Sequence, residues 1–333
     1  MAGEHPTIYD VAARAGVSIG TVSKALNASG KVSDQTRRRV LDAVQTLGFV
    51  PKEAAQARAR RGSGRIGVFA PFSTYPSFGE RLSGVLAALP PRRLDVAVFD
   101  VQSAADSGRV LETLPALRSL DGVIVMSVPV GRKAAAALRQ GGLPAVFVDV
   151  PDSGFPSVTV DDQMGGRLAA GALLAAGKRR LAFLGQRQAL GSLDSPSRRR
   201  LDGFAAALEA AGRRLPDTSI VLTGRSFAEA VATAEALLDR GDPPDGVFAH
   251  TDELAAAVHL AARRRGLAAP GDVAIIGFDD STLAEALELT TIRQPLRESG
   301  QWALRTLVAM MDDPAAAAPS LTLPVELVRR RSA

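Results

Sequence analysis

The chain has 333 residues, 46% of them hydrophobic and 23% charged, with a formal net charge of +5, the balance of an ordinary globular protein with room for two or three domains. It holds no cysteine, which excludes disulfides, thiolate metal sites and a thiol nucleophile, and its three histidines lie too far apart in sequence for a metal cluster. No apolar run approaches the roughly 18 residues of a membrane span and the amino end lacks an export signal, so a cytoplasmic location is expected.

From the amino end, Thr7 is placed to cap a helix, with Asp10 three residues on to complete a capping box. Ile8, Val11, Ala12 and Ala15 share one face of that helix. Gly16 supplies the positive φ of a tight turn, and Ser18 caps a second helix whose inner face is Val22 and Leu26. Ile19, Gly20, Thr21 and Lys24 are left on its outer side. A third helix follows from Ser33, with Val40, Leu41, Val44 and Leu47 closing a three-helix core. This is a helix-turn-helix with an outward-facing recognition helix. A bundle without a ligand is the alternative, and charge opposes it. Residues 1–65 carry 3 Lys and 8 Arg against 2 Glu and 3 Asp, a net of +6, so the rest of the chain sums to −1. A basic excess confined to one module points to phosphate, and DNA is the expected partner.

Gly48 ends the third helix and Pro51 opens a short stretch of helix-forming composition with no apolar face, closed by Gly62-Ser63-Gly64 as a joint. Residues 1–50 therefore read as the DNA-binding domain and 51–64 as hinge helix and linker. From Arg65 onward, strands alternate with Ala-rich helices. Strands are expected at Ile66–Ala70, Leu94–Phe99, Gly122–Met126, Ala145–Val148, Arg180–Leu184, Ser219–Leu222, Gly246–Ala249 and Val273–Ile276. Helices are expected at Arg81–Leu89, Met164–Ala176, Asp202–Ala211, Phe227–Arg240 and Leu254–Arg264. Such alternation specifies parallel, Rossmann-like sheets covered on both faces. About eight units exceed one sheet with a single switch point. Residues 65–331 are therefore expected to form two lobes, the first from about 65–176 plus 293–315 and the second from about 177–290 plus a closing strand near 321–330. A ligand would bind between them at the carboxyl ends of the strands. The carboxyl end shows no heptad tail, which favours a dimer.

Two motifs mislead. Gly62-Ser63-Gly64-Arg65-Ile66-Gly67 matches a dinucleotide-binding pattern but precedes a strand instead of following one. Gly16-Val17-Ser18-Ile19-Gly20 matches a nucleophile elbow, yet its Ser opens a recognition helix and has no acid–base partners. No enzyme activity and no cofactor are expected.

The helix-turn-helix, Gly48-Phe49-Val50-Pro51, Gly277-Phe278-Asp279-Asp280 and Leu289-Thr290-Thr291-Ile292-Arg293-Gln294-Pro295 together resemble the lactose-repressor (LacI/GalR) family, over essentially the whole chain. The resemblance implies a homodimeric transcription regulator whose affinity for a pseudo-palindromic operator is set by a small molecule in a periplasmic-binding-protein-like domain. By position, Ile19, Gly20 and Lys24 match the base-reading sites. Lys24 would donate to guanine and Ile19 would touch a thymine methyl, while Gly20 has nothing to read with. Thr7, Tyr9, Ser18, Thr21, Ser23, Asn27 and Lys31 are cast as phosphate or register contacts, with packing inside the bundle as the alternative for Tyr9 and Val22. Arg58 stands where the family usually carries an intercalating Leu, and Lys52 where it carries Asn. Arg58 would enter a narrowed A/T minor groove, where the wedge of a Leu would instead kink the DNA.

For the effector, Arg200 matches the family's ligand-binding arginine and Asp279 the acid that accepts sugar hydroxyls. A carboxylate and a guanidinium together suit adjacent hydroxyls. Their alternatives are a charge at a helix amino end and a capping Asp. Thr251 stands where many members have Asn, with an unusual His250 before it. Phe72, Tyr75 and Phe78 either stack on a sugar face or pack. A sugar or sugar phosphate is the expected effector, with a purine or other corepressor, or a solute-binding module, as alternatives.

Overall fold

A computed structural model describes residues 7–26, 33–47, 64–101, 111–112, 119–128, 130–150, 153–187, 195–313, 315 and 318–333. The chain divides into two compact units, Met1–Gly64 and Arg65–Ala333.

The first unit holds helices α1 (Ile8–Ala15), α2 (Ile19–Leu26) and α3 (Asp34–Leu47). Thr7 and Asp10 form the expected capping box, the Thr7 amide and hydroxyl each donating to Asp10 Oδ2 at 2.7 Å. Those two bonds hold the Asp10 carboxyl below the usual carboxylate range. Gly16 follows α1 at φ 62°, a conformation that favours glycine. Arg39 of α3 donates to the carbonyls of Ala15 and Gly16, satisfying the end of α1 from a distant helix. Val11, Ala12, Ala15, Val22, Ala25, Val40 and Ala43 form the core, with Ile8, Val17 and Leu47 against it. Val22 is thus a packing residue, whereas Tyr9 is 68% exposed.

The second unit is built on two six-stranded sheets. Strands β1 (Arg65–Ala70), β2 (Asp95–Asp100), β3 (Gly122–Met126), β4 (Ala145–Val148), β5 (Ser157–Val160) and β11 (Leu321–Leu323) form the first, in the order β11-β5-β4-β3-β1-β2. The second sheet contains β6 (Leu181–Gln186), β7 (Ile220–Thr223), β8 (Gly246–Ala249), β9 (Ala274–Asp279), β10 (Thr290–Arg293) and β12 (Glu326–Val328), in the order β12-β10-β9-β8-β6-β7. All pairings are parallel except β10 with β12. The helices are α4 (Ser77–Ala87), α5 (Arg132–Gln140), α6 (Asp162–Ala175), α7 (Pro196–Ala210), α8 (Phe227–Leu238), α9 (Asp252–Arg264), α10 (Thr282–Ala286) and α11 (Leu296–Asp312).

The lobe boundary departs from expectation. Helix α6 buries Ala169, Ala170, Ala172 and Leu173 against Phe183, Phe204 and Phe248, so it belongs to the second lobe, and the chain crosses at residue 161. Asp161 marks that crossing by accepting the Met164 amide at 2.8 Å as the cap of α6. The expected closing strand is two short ones, β11 in the first sheet and β12 in the second. The chain therefore passes between lobes near 161, 294–295 and 324–325. Strands β5 and β10 carry no strand signal of their own, since Ser-Val-Thr-Val and Thr-Thr-Ile-Arg are short and hydroxyl-rich and lack an apolar run.

One helix pair in each lobe makes unusually close contact. A Cβ on Gly166 of α6 would lie 2.0 Å from the Arg200 carbonyl oxygen of α7, and one on Gly203 of α7 would lie 2.0 Å from that of Gln163. In the first lobe, Gly84 of α4 meets the Arg297 carbonyl and Gly300 of α11 meets that of Arg81, again at 2.0 Å. Neither pair has space for a methyl group. Gly171, on the open face of α6, has nothing within 4 Å of such a Cβ. Gly171→Ala should therefore raise stability by about 0.5–1 kcal/mol through helix entropy. Gly166→Ala, in the same helix, should lower it by about 1–3 kcal/mol. Urea unfolding of the two variants checks this, and equal midpoints would contradict the packing argument.

Candidate functional site

In the first unit, helix α2 presents Ile19, Gly20 and Lys24 outward, Ile19 being 39% exposed. Exposure of a branched apolar side chain beside a lysine, on a helix whose other face is core, suits base edges and methyl groups. The Ser18 hydroxyl accepts the Thr21 amide at 3.2 Å and shares a 2.9 Å hydrogen bond with the Thr21 hydroxyl, so both residues frame the amino end of α2. Thr7 is likewise engaged with Asp10, and Tyr9 is open to solvent. The Ser23 side chain and Asn27, Lys31, Lys52 and Arg58 lie outside the described residues.

In the second unit, the carboxyl ends of the strands carry backbone in the left-handed region at non-glycine residues. These are Ser127 after β3 (φ 52°), Asp149 after β4 (φ 56°), and Asp279 and Asp280 at the end of β9 (φ 114° and 57°). Such conformations cost about 1–3 kcal/mol each and persist where the surroundings fix them. Here they aim carboxylates out of the sheets.

Arg81 of α4 is 2% exposed and pairs with Asp149, Nη2 to Oδ2 at 2.5 Å. The same nitrogen donates to Gln294 Oε1 at 3.2 Å. Gln294 Nε2 donates in turn to Asp279 Oδ1. A hydrogen-bonded chain, Asp149–Arg81–Gln294–Asp279, thus joins the first lobe to the second through one of the crossings. Arg81 Nε and Asp149 Oδ1 are buried in it without a partner among the described residues. At the edge of the same cleft, Arg225 Nη2 donates to Thr74 Oγ1 at 2.7 Å, a second bond between lobes.

Arg200 is fixed on three sides. Its Nε donates to Asp162 Oδ1 at 2.9 Å, Nη1 donates to the His250 carbonyl at 2.6 Å, and the guanidinium lies 3.5 Å over the Phe278 ring. Arg199 holds the other oxygen of Asp162 at 2.9 Å. Burial pushes the Asp162 carboxyl up, and the two guanidiniums pull it back. Burial also pushes Asp279 up to about 8, a rise opposed by Arg200 and reinforced by Asp252 and Glu253. Asp252, under Thr291 and the Ser281 amide, is pushed up to about 6 by burial. His250 is pushed down to about 3, by burial and then by Arg200, and stays neutral. The two adjacent acids of Asp279-Asp280 have different duties. Asp280 pairs with Arg293 at 2.7 Å and Arg330 at 2.6 Å, leaving Asp279 to the cleft.

Thr251 is the cap of α9, its hydroxyl accepting the Leu254 amide at 3.3 Å. Phe78 is 5% exposed, packed edge-on to Phe72 and Tyr75 and lying beneath Arg81 at 5.7 Å. Phe72 and Tyr75 are half-buried, and the Tyr75 hydroxyl, pushed up by burial, feels Arg225, Arg200 and Glu253 of the opposite lobe. Sequence reasoning missed Arg81, Asp149 and Asp162. A charge directly after an all-apolar strand was the available signal for Asp149. Gln294 stands in the Leu289–Pro295 motif, where nothing local marks its linking role. Among the described residues no group of three or more His, Asp or Glu is arranged to hold a metal ion, and no helix is long and apolar enough to cross a membrane.

Residues 7–52 match the model for bacterial regulatory proteins of the lacI family, and residues 170–333 that for a periplasmic binding protein-like domain. Over 98% of its length the chain is 33% identical to the HTH-type transcriptional regulator DegA of Bacillus subtilis, covering 97% of that protein. It is similar to the solved complex of the transcriptional regulator CelR with cellobiose, at 30% identity and TM-score 0.69, covering 98% of this chain and 100% of that one. It is also similar to the Lac repressor dimer bound to operator and the anti-inducer ONPF, at 26% identity and TM-score 0.75, over 99% of both chains.

The Asp279 environment sets a pH dependence. Its folded value, about 8, lies above its unfolded value near 3.8, so the folded state holds the proton longer. Between pH 6.5 and about 8 only the folded state still holds that proton, so stability should fall as pH rises, and it should level off beyond, where neither state holds it. Asp252 and His250 titrate below this window. Asp279→Asn should flatten the slope between pH 6.5 and 8 in thermal melts, and an unchanged slope would show that Asp279 is ionised in the fold.

Proposed function

The chain belongs to the LacI family of bacterial regulatory proteins, and from that premise we propose that it is a homodimeric repressor whose operator affinity is set by an uncharged sugar bound between the two lobes. It is a DNA-binding transcriptional regulator and not an enzyme. Residues 1–50 serve as the DNA-binding domain, 51–64 as hinge and linker, and 65–331 as the effector-binding and dimerisation domain, acting in the cytoplasm on a pseudo-palindromic operator.

The observation that carries the effector reading is the buried chain from Asp149 to Asp279. Its unpartnered Arg81 Nε and Asp149 Oδ1 present one donor and one acceptor, which adjacent hydroxyls satisfy together. The two buried arginines of the cleft already face carboxylates, Arg81 with Asp149 and Arg200 with Asp162, an acid it shares with Arg199. An anionic sugar phosphate would therefore find both buried arginines already paired, which favours a neutral ligand over a phosphorylated one. Cellobiose, the ligand named for the CelR complex, is a suitable first probe.

Calorimetric titration of neutral saccharides into the protein, with and without operator DNA, tests this reading. Linkage requires operator to shift saccharide affinity by the same factor by which saccharide shifts operator affinity, typically 5- to 150-fold. Equal saccharide affinity in both titrations would reject that sugar as the signal, and tighter binding of the 6-phosphate would reject the neutral-ligand reading. On the DNA side, Ile19, Gly20 and Lys24 are assigned to base edges, and Thr7, Tyr9, Ser18, Thr21, Ser23, Asn27 and Lys31 to the backbone. Arg58 is assigned to the minor groove. Lys24→Ala should cost about 1–3 kcal/mol and relax base preference at one position of each half-site. Operator selection with the variant reads this directly, and an unchanged selected sequence would remove Lys24 from base reading.

A further inference from the structure

The amino ends of the second-lobe strands, opposite the cleft, enclose a pocket of about 200 Å³. Arg179, Arg180, Arg213, Arg214 and Arg240 line it, and Asp242 is the one carboxylate in the lining. The arginines come from three stretches of chain: the start of β6, the connection from α7 to β7, and the end of α8. Leu181, Leu208, Leu237 and Pro244 add apolar surface.

Among the described residues, four of the five arginines meet no carboxylate, Arg180 being the exception. Arg213 Nη1 donates to the Lys178 carbonyl at 3.0 Å, and Arg240 Nη1 to the Thr218 carbonyl at 2.6 Å. Arg180 Nε donates to the Pro243 carbonyl at 2.7 Å. A neutral carbonyl orients a guanidinium and leaves its charge and remaining N–H groups available. Arg180 also faces Asp242 at 3.1 Å, but that carboxylate is 82% exposed and therefore a weak partner. No ion pair or hydrogen bond engages the side chains of Arg179 and Arg214 among the described residues. Asp245, the nearby alternative, has Oδ1 occupied by the Arg179 and Arg180 amides, both at 2.8 Å, and its Oδ2 lies 3.9 Å from Arg180.

We propose that this five-arginine pocket is a second ligand site, for a small oligophosphate such as pyrophosphate or a nucleoside triphosphate. Forked guanidiniums match phosphate oxygens better than any other common anion carrier, and arginines converging from several segments suit a compact ligand. A DNA backbone would instead want charges in a linear track. The apolar wall gives a base or other ring a surface to lie on.

The test is isothermal titration of the full chain with orthophosphate, pyrophosphate and ATP, comparing wild type with Arg179→Gln/Arg214→Gln. Both positions are exposed, so the variant should melt at the wild-type temperature. Any binding to the basic amino-terminal unit is common to both proteins and cancels in the comparison. The expected result is saturable binding that strengthens with phosphate number and weakens about tenfold or more in the variant. Saccharide titrations should be unchanged. Identical isotherms in the two proteins, or no saturation at millimolar ligand, would overturn the proposal. So would a variant that loses affinity for non-specific duplex DNA while keeping that for ATP, which would make the pocket a nucleic-acid contact.

Discussion

Two buried guanidiniums, one per lobe, are the constraint on which the cleft depends, and each is held by a glycine on the neighbouring helix. Arg81 and Arg200 occupy equivalent situations. Each sits on a helix whose backbone at that residue touches a glycine, Gly300 and Gly166 respectively. Each pairs with a buried carboxylate and lies over a phenylalanine ring. Taking such charges out of water is expensive, and the ion pair offsets the expense only with good geometry. In the second lobe close helix contact supplies that geometry, bringing Asp162 of α6 to Arg200 of α7, whereas in the first Asp149 comes from the end of β4.

The same arrangement fixes the electrical character of the site. Because Arg81 faces Asp149 and Arg200 faces Asp162, the two buried arginines present polarity already met by carboxylates. Asp279, held protonated near neutrality by burial, adds a group able to donate as well as accept. This differs from the arginine pocket at the other end of the second lobe, where backbone carbonyls orient Arg213 and Arg240 and only Arg180 meets carboxylates. One sheet thus carries a compensated site at its carboxyl edge and an uncompensated one at its amino edge.

Much of this fold was legible because local chemistry and global packing agree. The Thr7–Asp10 box, the Gly16 turn and the strands at 122–126, 145–148 and 246–249 all follow from residues close in sequence. The first lobe crossing was not legible, since nothing local separates β5 from α6, whereas the crossing expected at 290–293 lies close by at 294–295. What places α6 in the second lobe is a tertiary contact, the Gly166–Gly203 approach. The site was half visible for the same reason. Arg200 and Asp279 lie in recognisable motifs, whereas Arg81 meets Asp149 across 68 positions and Gln294 across 213. No periodicity joins residues so distant. Thr251, a position noted for ligand binding, also caps a helix.

Gln294 is where binding in the cleft would become movement. It lies between β10 of the second lobe and α11 of the first, so any rotation of the lobes re-aims its side chain. Its two hydrogen bonds, from Arg81 and to Asp279, can both be kept only within a narrow range of lobe arrangements. A ligand that satisfies Arg81 Nε and Asp149 Oδ1 without disturbing Gln294 favours that range. One that displaces Gln294 from Asp279 favours another. A ligand with equal affinity for both shifts nothing, however tightly it binds. The sign of the response therefore depends on whether the ligand adds to the Asp149–Arg81–Gln294–Asp279 chain or replaces a link in it.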